Sequence, residues 1–250
     1  MTRRSHHRVQ LEPENLPFDQ GLRGLSSPTP ATPRGERRQE FLDAALELFL
    51  EKGFDETTVQ NIATRAGVAI GTMYLYFPSK NDVILALHND FHKGMEERFL
   101  AGAGEYFATL ERGEQVDNRD AIDDIIDSMF EYILEHRREC EVLTRHLWQS
   151  GISEEVMAAE RHFIEFLSRA IEAGTQTGLL HASDPQMSAY LLNAAMHINM
   201  ARAITFGDPP DVDRLAAGAK ELFYKALAPA TVLELPPRKP SQPDSSASLE

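Results

Sequence analysis

The sequence predicts an all-α protein, and three observations predict it. Apolar residues recur at helical spacing from about residue 35 to residue 227, and no stretch alternates strictly as a half-buried strand does. Helix punctuation, in the form of glycines, capping hydroxyls and a proline, divides that span into segments of helical length. The flanks, 1–33 and 228–250, are rich in Pro and Ser without periodicity, and read as disordered tails.

The first helix runs from near Gly35 to Lys52, with Phe41, Leu42, Ala45, Leu48 and Phe49 on one face and Gly53 as its stop. Thr57 or Thr58 can cap the second, and Gln60 three residues after Thr57 suggests a capping box. Its apolar positions Val59, Ile62, Ala63 and Ala66 fall at i, i+3, i+4 and i+7. A third helix, about 70–77, ends before Pro78. Ser79 with Asp82 opens a fourth, to about Gly102. Further helices are expected at about 118–138, 139–150, 153–178, 184–206 and 211–227. Short helices around a glycine turn at 34–84 have the build of a helix-turn-helix module; 85–227 forms a helical body behind it.

Composition narrows the function classes. The net charge is −14, but residues 1–84 carry 10 Lys/Arg against 11 Asp/Glu, so nearly all the excess lies in the body. The module can approach phosphates, yet it has no broad basic patch and must rely on a few placed groups. A single cysteine, Cys140, forms no intrachain disulfide and fits a reducing cytoplasm. The N-terminal residues show no secretory signal, and no uninterrupted apolar run is long enough to span a membrane. No zinc-protease helix, phosphate-cradling loop or nucleophile elbow occurs, so an enzyme has no residues to stand on and no cofactor is expected. His136, Cys140 and His146 tempt as metal ligands, but Arg137, Arg138 and Arg145 crowd them and no further ligand completes a site. No metal is expected.

On a helical wheel, Ile70, Met73, Phe77 and Tyr74 gather within about 60° and form an inward stripe. Gly71, Thr72, Leu75 and Tyr76 occupy the other side, where a purely structural helix would carry charge. Gly71 permits close backbone approach to a duplex. Thr72 can bond a base edge or a phosphate, Leu75 can pack on a thymine methyl, and Tyr74 can reach a phosphate with its hydroxyl. Lys80 adds a charge at the next helix's start. The plainer reading is three packed helices with half-buried tyrosines.

The residues of 36–84 resemble the tetracycline-repressor (TetR) family of bacterial transcriptional regulators. The resemblance rests on Glu51-Lys52-Gly53-Phe54, Thr57-Thr58-Val59, Ile62-Ala63, Ala66-Gly67-Val68, Gly71-Thr72, Tyr74, Tyr76-Phe77 and Ser79-Lys80. It implies a homodimer that binds a palindromic DNA operator, usually as a repressor, and releases it when a small molecule enters the body. It also implies that Thr58 and Gln60 lie by the phosphates, that Gly71, Thr72, Tyr74, Leu75 and Tyr76 lie in or beside the groove, and that Lys80 holds DNA backbone. Ala69, Ile70 and Leu75 depart from the commonest pattern.

For the body, Met129, Phe130, Ile133, Trp148, His162, Phe163 and Phe166 are the candidate lining of an apolar pocket, though core packing explains each equally well. Ala189, Leu192, Ala195, Met196, Asn199 and Ala203 on one helix, with Leu215, Ala219, Leu222, Phe223 and Ala226 on the next, offer half of a four-helix dimer interface or internal packing. Arg3, Arg4, His6, His7 and Arg8 suit either an arm reaching DNA or an ordinary tail. The expectation is a cytoplasmic, ligand-responsive DNA-binding regulator with no membrane partner. The alternative is a helical scaffold that uses the module for protein contacts.

Overall fold

The structure, a computed structural model, describes residues 33–112, 118–149, 154–205 and 212–228. Among the described residues there are only helices: α1 (Pro33–Glu56), α2 (Val59–Arg65), α3 (Ile70–Tyr74), α4 (Lys80–Glu111), α5 (Asn118–Glu135), α6 (Arg137–Gln149), α7 (Glu154–Gln176), α8 (Pro185–Thr205) and α9 (Val212–Leu227). None is long and apolar enough to cross a membrane. The possible N-terminal arm lies outside the described residues.

In α1 the expected stripe is buried in full, from Phe41 to Phe49. Gly53 breaks the helix at φ 86° and ψ 167°, and one further turn follows to Glu56. That left-handed φ, not lack of space, is what requires glycine, because a Cβ there would touch nothing.

The cap of α2 corrects the expected pairing. Thr57 is buried, and its hydroxyl donates to the Gly53 carbonyl at 2.8 Å, committed to the break in α1. Thr58 caps instead: its Oγ1 accepts from the Asn61 amide at 3.2 Å, while Asn61 Oδ1 accepts from the Thr58 amide at 3.1 Å. Gln60 donates to Thr64 Oγ1 at 3.2 Å and takes no part in the box.

After the turn at Gly67 (φ 72°), α3 is a single short helix. Amides of both Tyr76 and Phe77 then bond to the Met73 carbonyl at 2.9 Å, so the turn tightens before Pro78. The expected Ser79–Asp82 pair opens the next helix: Ser79 Oγ accepts from the Asp82 amide at 3.3 Å and donates to the Asp82 carboxylate at 2.6 Å.

Helix α4 does not stop near Gly102 but continues to Glu111. Its glycines are notches for α5. A Cβ on Gly94 would lie 2.0 Å from the Tyr132 hydroxyl, and one on Gly102 would lie 3.1 Å from Ile125. One apolar cluster runs from Phe41, Ile62 and Met73 through Ile84 and Phe91 to Leu143 and Phe163, so the module's core is continuous with the body's through α4 and α6. A second cluster, holding Tyr106, Ile122, Ile171 and Leu227, closes the far end.

Candidate DNA-binding face and effector cavity

Met73 (0% exposed) and Phe77 (4%) anchor α3 inward, and Ile70 packs against the same core. This leaves Gly71 exposed, Thr72 half-buried, Tyr74 49% exposed and Leu75 75% exposed. Tyr74 therefore belongs to the outer face, not the inward stripe. Tyr76 goes the other way. It is half-buried, its ring edge-on to Phe41 at 5.3 Å with the Arg34 guanidinium 5.7 Å from its centre. A five-residue helix followed by a tight turn does not keep the 100° step, which is why the wheel misplaced both tyrosines. Thr58 and Gln60 are exposed at the start of α2.

The module's cations are committed to partners within the protein. Arg65 bridges Glu47 and Glu51, Arg38 holds Asp90 at 2.6 Å, Arg37 holds Glu40, and Lys52 donates to Asn61 Oδ1 at 2.6 Å. Lys80 donates to the carbonyls of Phe54 (2.6 Å) and Asp55 (3.2 Å), and sits 4.2 Å from the Phe54 ring centre. Burial holds its ammonium below the usual lysine range. Lys80 thus braces the end of α1, and two of an ammonium's three donors are already used.

Behind the module, a cavity of about 600 Å³ lies between α4, α5, α7, α8 and α9. Of the expected lining, Met129, Phe130, Ile133 and Phe163 are there. Phe166 is buried beside it, edge-on to Phe99 at 5.5 Å. The His162 side chain is 65% exposed, 3.9 Å from Glu96, and does not line it. The Trp148 side chain lies outside the described residues. Phe91, Met95, Phe99 and Ala103 of α4 complete the wall and were missed. Their strict i+4 spacing was the available signal, hidden because α4 reads as a linker between the two parts. The few polar wall groups include His92, Asn193, Asn199 and Arg214.

The expected dimer face is divided: much of it borders the cavity, while Leu222, at 52%, and Asn199 also remain exposed. Ala189 is fully buried, while Leu192, Ala195 and Asn199 of α8 and Leu215, Ala219, Leu222 and Phe223 of α9 line the cavity. Ala226 is exposed; the Met196 and Ala203 side chains lie outside the described residues. The outward apolar stripe of α8 is instead Met187, Tyr190, Leu191 and Ala194, at i, i+3, i+4 and i+7. Small residues favoured the first face in the sequence, but small residues also suit a wall that leaves room.

His136, Cys140 and His146 go to different neighbours. His136 stacks on Tyr132 at 4.0 Å, and Cys140 lines the cavity with its thiol pushed up to about 11 by burial. His146 packs 4.3 Å from the Phe54 ring, where burial lowers its pKa. Helix α6 therefore touches the cavity at Cys140 and the module at His146, within two turns.

A short helix presented outward by a buried methionine, preceded by a capped helix and a glycine turn, defines a helix-turn-helix protein with a hollow helical body. The family model of the bacterial regulatory proteins of the tetR family matches residues 41–87, within that module. The fatty acid metabolism regulator protein of Bacillus subtilis (strain 168) is 42% identical over 62 residues, 23% of this chain and 32% of that protein. The chain spans 22% to 32% of the length of the first curated relatives it matches. Solved structures extend the likeness of fold to the body. The regulator FadR from Bacillus subtilis, in complex with stearoyl-CoA, superposes with a TM-score of 0.58 at 21% identity, over 74% of this chain and 96% of FadR. SmeT, repressor of a Stenotrophomonas maltophilia multidrug efflux pump, superposes with a TM-score of 0.61 at 23% identity, over 82% and 94% of the two chains. Its triclosan complex gives a TM-score of 0.63 at 21% identity over 83% and 98%.

Proposed function

We propose that this protein is a ligand-responsive DNA-binding transcriptional regulator, most simply a repressor, acting in the cytoplasm and without catalysis. Two copies bind a palindromic operator, each placing α3 in a major groove, with half-sites about one helical turn apart. The observation that carries this reading is the outward face of α3 (Gly71, Thr72, Tyr74, Leu75) on a module matching the tetR family model. Thr58, Gln60, Tyr76 and Lys80 support that face; the last two do so chiefly by packing and bracing, given the contacts they make. With its cations paired internally, the module depends on hydroxyl, backbone and apolar contacts for specificity. The outward stripe Met187, Tyr190, Leu191 and Ala194 is the better candidate for the contact between copies.

The effector is a small, largely apolar molecule seated in the cavity, a chemistry consistent with the stearoyl-CoA and triclosan complexes of the two fold relatives. Its occupancy is relayed to the module by α4 and by α6, which ends on Phe54. A coupling of about 1–3 kcal/mol suffices to exchange operator affinity for effector affinity.

The test is binding of the full-length protein to the DNA upstream of its own gene, by fluorescence anisotropy. Salt-dependent binding is expected, weakened by roughly 1–3 kcal/mol in Thr72→Ala. Long-chain acyl thioesters and bisaryl compounds should then weaken it. A scaffold would bind no duplex in any salt, and a monomeric mass in light scattering would remove the dimer.

A further inference from the structure

We propose that His88, His92 and Glu160 form a binding site for one divalent transition metal ion of borderline softness, of the zinc class. His88 and His92 stand one turn apart on α4, at i and i+4, and point at Glu160 of α7. One ligand-type atom from each residue lies within 4.8 Å of the other two, and His92 Nε2 is 3.6 Å from Glu160 Oε1. Neighbouring ligands in a tetrahedral zinc site are about 3.3 Å apart, given bonds of about 2.0–2.1 Å, so small side-chain rotations bring all three to one ion.

The surroundings favour an ion over a plain polar contact. His88 is 1% exposed and His92 6%, and the His92 ring stacks on Phe163 at 4.8 Å. A carboxylate among aromatic rings is costly unless its charge is met, and a divalent cation meets it. His88, the more deeply buried of the two imidazoles, lies within the same reach as His92 and Glu160, and two imidazoles with one carboxylate are a donor set that suits a borderline cation. Asn193 of α8 donates to Glu160 Oε2 at 3.2 Å, the kind of outer partner that fixes a ligating carboxylate. Glu96, one turn further along α4, faces His162 and is not part of the cluster. Two imidazoles and one carboxylate leave a coordination position over. His92 and Asn193 also line the cavity, so a water or an effector's donor atom can reach it.

The test uses untagged, full-length protein, stripped with chelator, with His6 and His7 replaced by Ala so that the N-terminal pair does not report. Zinc is titrated against a chromophoric chelator, and cobalt is followed by its visible absorption. One equivalent per chain is expected, with the intense cobalt spectrum of low coordination number and a zinc-dependent rise in thermal midpoint. Glu160→Gln and His92→Phe keep size and stacking, and each should weaken zinc by more than the 10- to 100-fold expected for the outer partner in Asn193→Ala. Cys140→Ser should leave binding unchanged. Substoichiometric zinc in the wild type, or stoichiometric zinc retained by the His92→Phe/Glu160→Gln double variant with a native circular-dichroism spectrum, overturns the site. Neither outcome depends on DNA binding.

Discussion

In the module, Phe41, Ile62, Met73 and Phe77 fill the space under α3, each no more than 4% exposed. In the body, side chains of the same kinds stand around a cavity of about 600 Å³. Polar groups follow the same division. The module's cations and caps are matched to carboxylates and carbonyls at its surface, whereas the body buries His88, His92, Glu96 and Asp123. Unfilled space lowers stability, so a body that keeps it is shaped for something other than stability. The difference is between a filled part that must hold one surface still and a hollow part that must change when occupied.

Removing the anchor under α3 tests that contrast most severely. Met73→Ala should destabilise the protein by about 2–5 kcal/mol in urea melts and abolish duplex binding. By comparison, Ala170→Leu, which projects into the cavity, should change stability by less than about 1.5 kcal/mol yet blunt the effector response. Equal losses in both would mean that the cavity is packed in solution.

Next in size is the attachment of α9. Tyr224 donates to Asp123 Oδ1 at 2.6 Å, with the Arg119 carbonyl 3.0 Å away, and burial with Asp123 pushes its hydroxyl pKa up. Tyr224→Phe leaves a buried carboxylate short of a donor and should cost about 1–3 kcal/mol, without altering the module's hydrogen-exchange protection. Thr58→Ala removes the α2 cap and should cost about 1 kcal/mol while lowering operator affinity.

The smallest effect lies at the seam. Burial lowers the folded pKa of His146 from its ordinary 6.5. Its contribution is therefore fully present above pH 6.5 and is lost as the pH falls below that value toward the folded pKa, because the unfolded chain then binds the extra proton. Thermal midpoints measured downward from pH 7.5 should fall less steeply in His146→Phe. An unchanged slope would mean that the ring is hydrated in solution.

The sequence showed the module far better than the body. Gly53, the Ser79–Asp82 pair and the stripe of α1 act within a few residues of themselves, and all appear where expected. The shift of the capping box from Thr57–Gln60 to Thr58–Asn61, with Thr58 one of the two expected caps, and the exchange of Tyr74 for Tyr76 are errors of local phase, set by the break at Gly53 and the shortness of α3. In the body, four of the six expected lining residues whose side chains are described reach the cavity, and the wall contributed by α4 was missed. A residue that lines a cavity and one that fills a core have the same chemistry, and only the neighbours tell them apart.

By itself the sequence determined that the chain is helical, where most of its helices begin, and that α3 turns a hydroxyl, aromatic and apolar face outward. These follow from periodicity and capping, which are local. Only the tertiary structure decided that Lys80 braces α1, that α8 presents Met187, Tyr190 and Leu191 rather than its small residues, and that His88 and His92 meet Glu160 from 68 or more positions away. Such placements depend on how far apart packed helices stand and how each is rotated about its axis, and side-chain volumes summed over several elements set both.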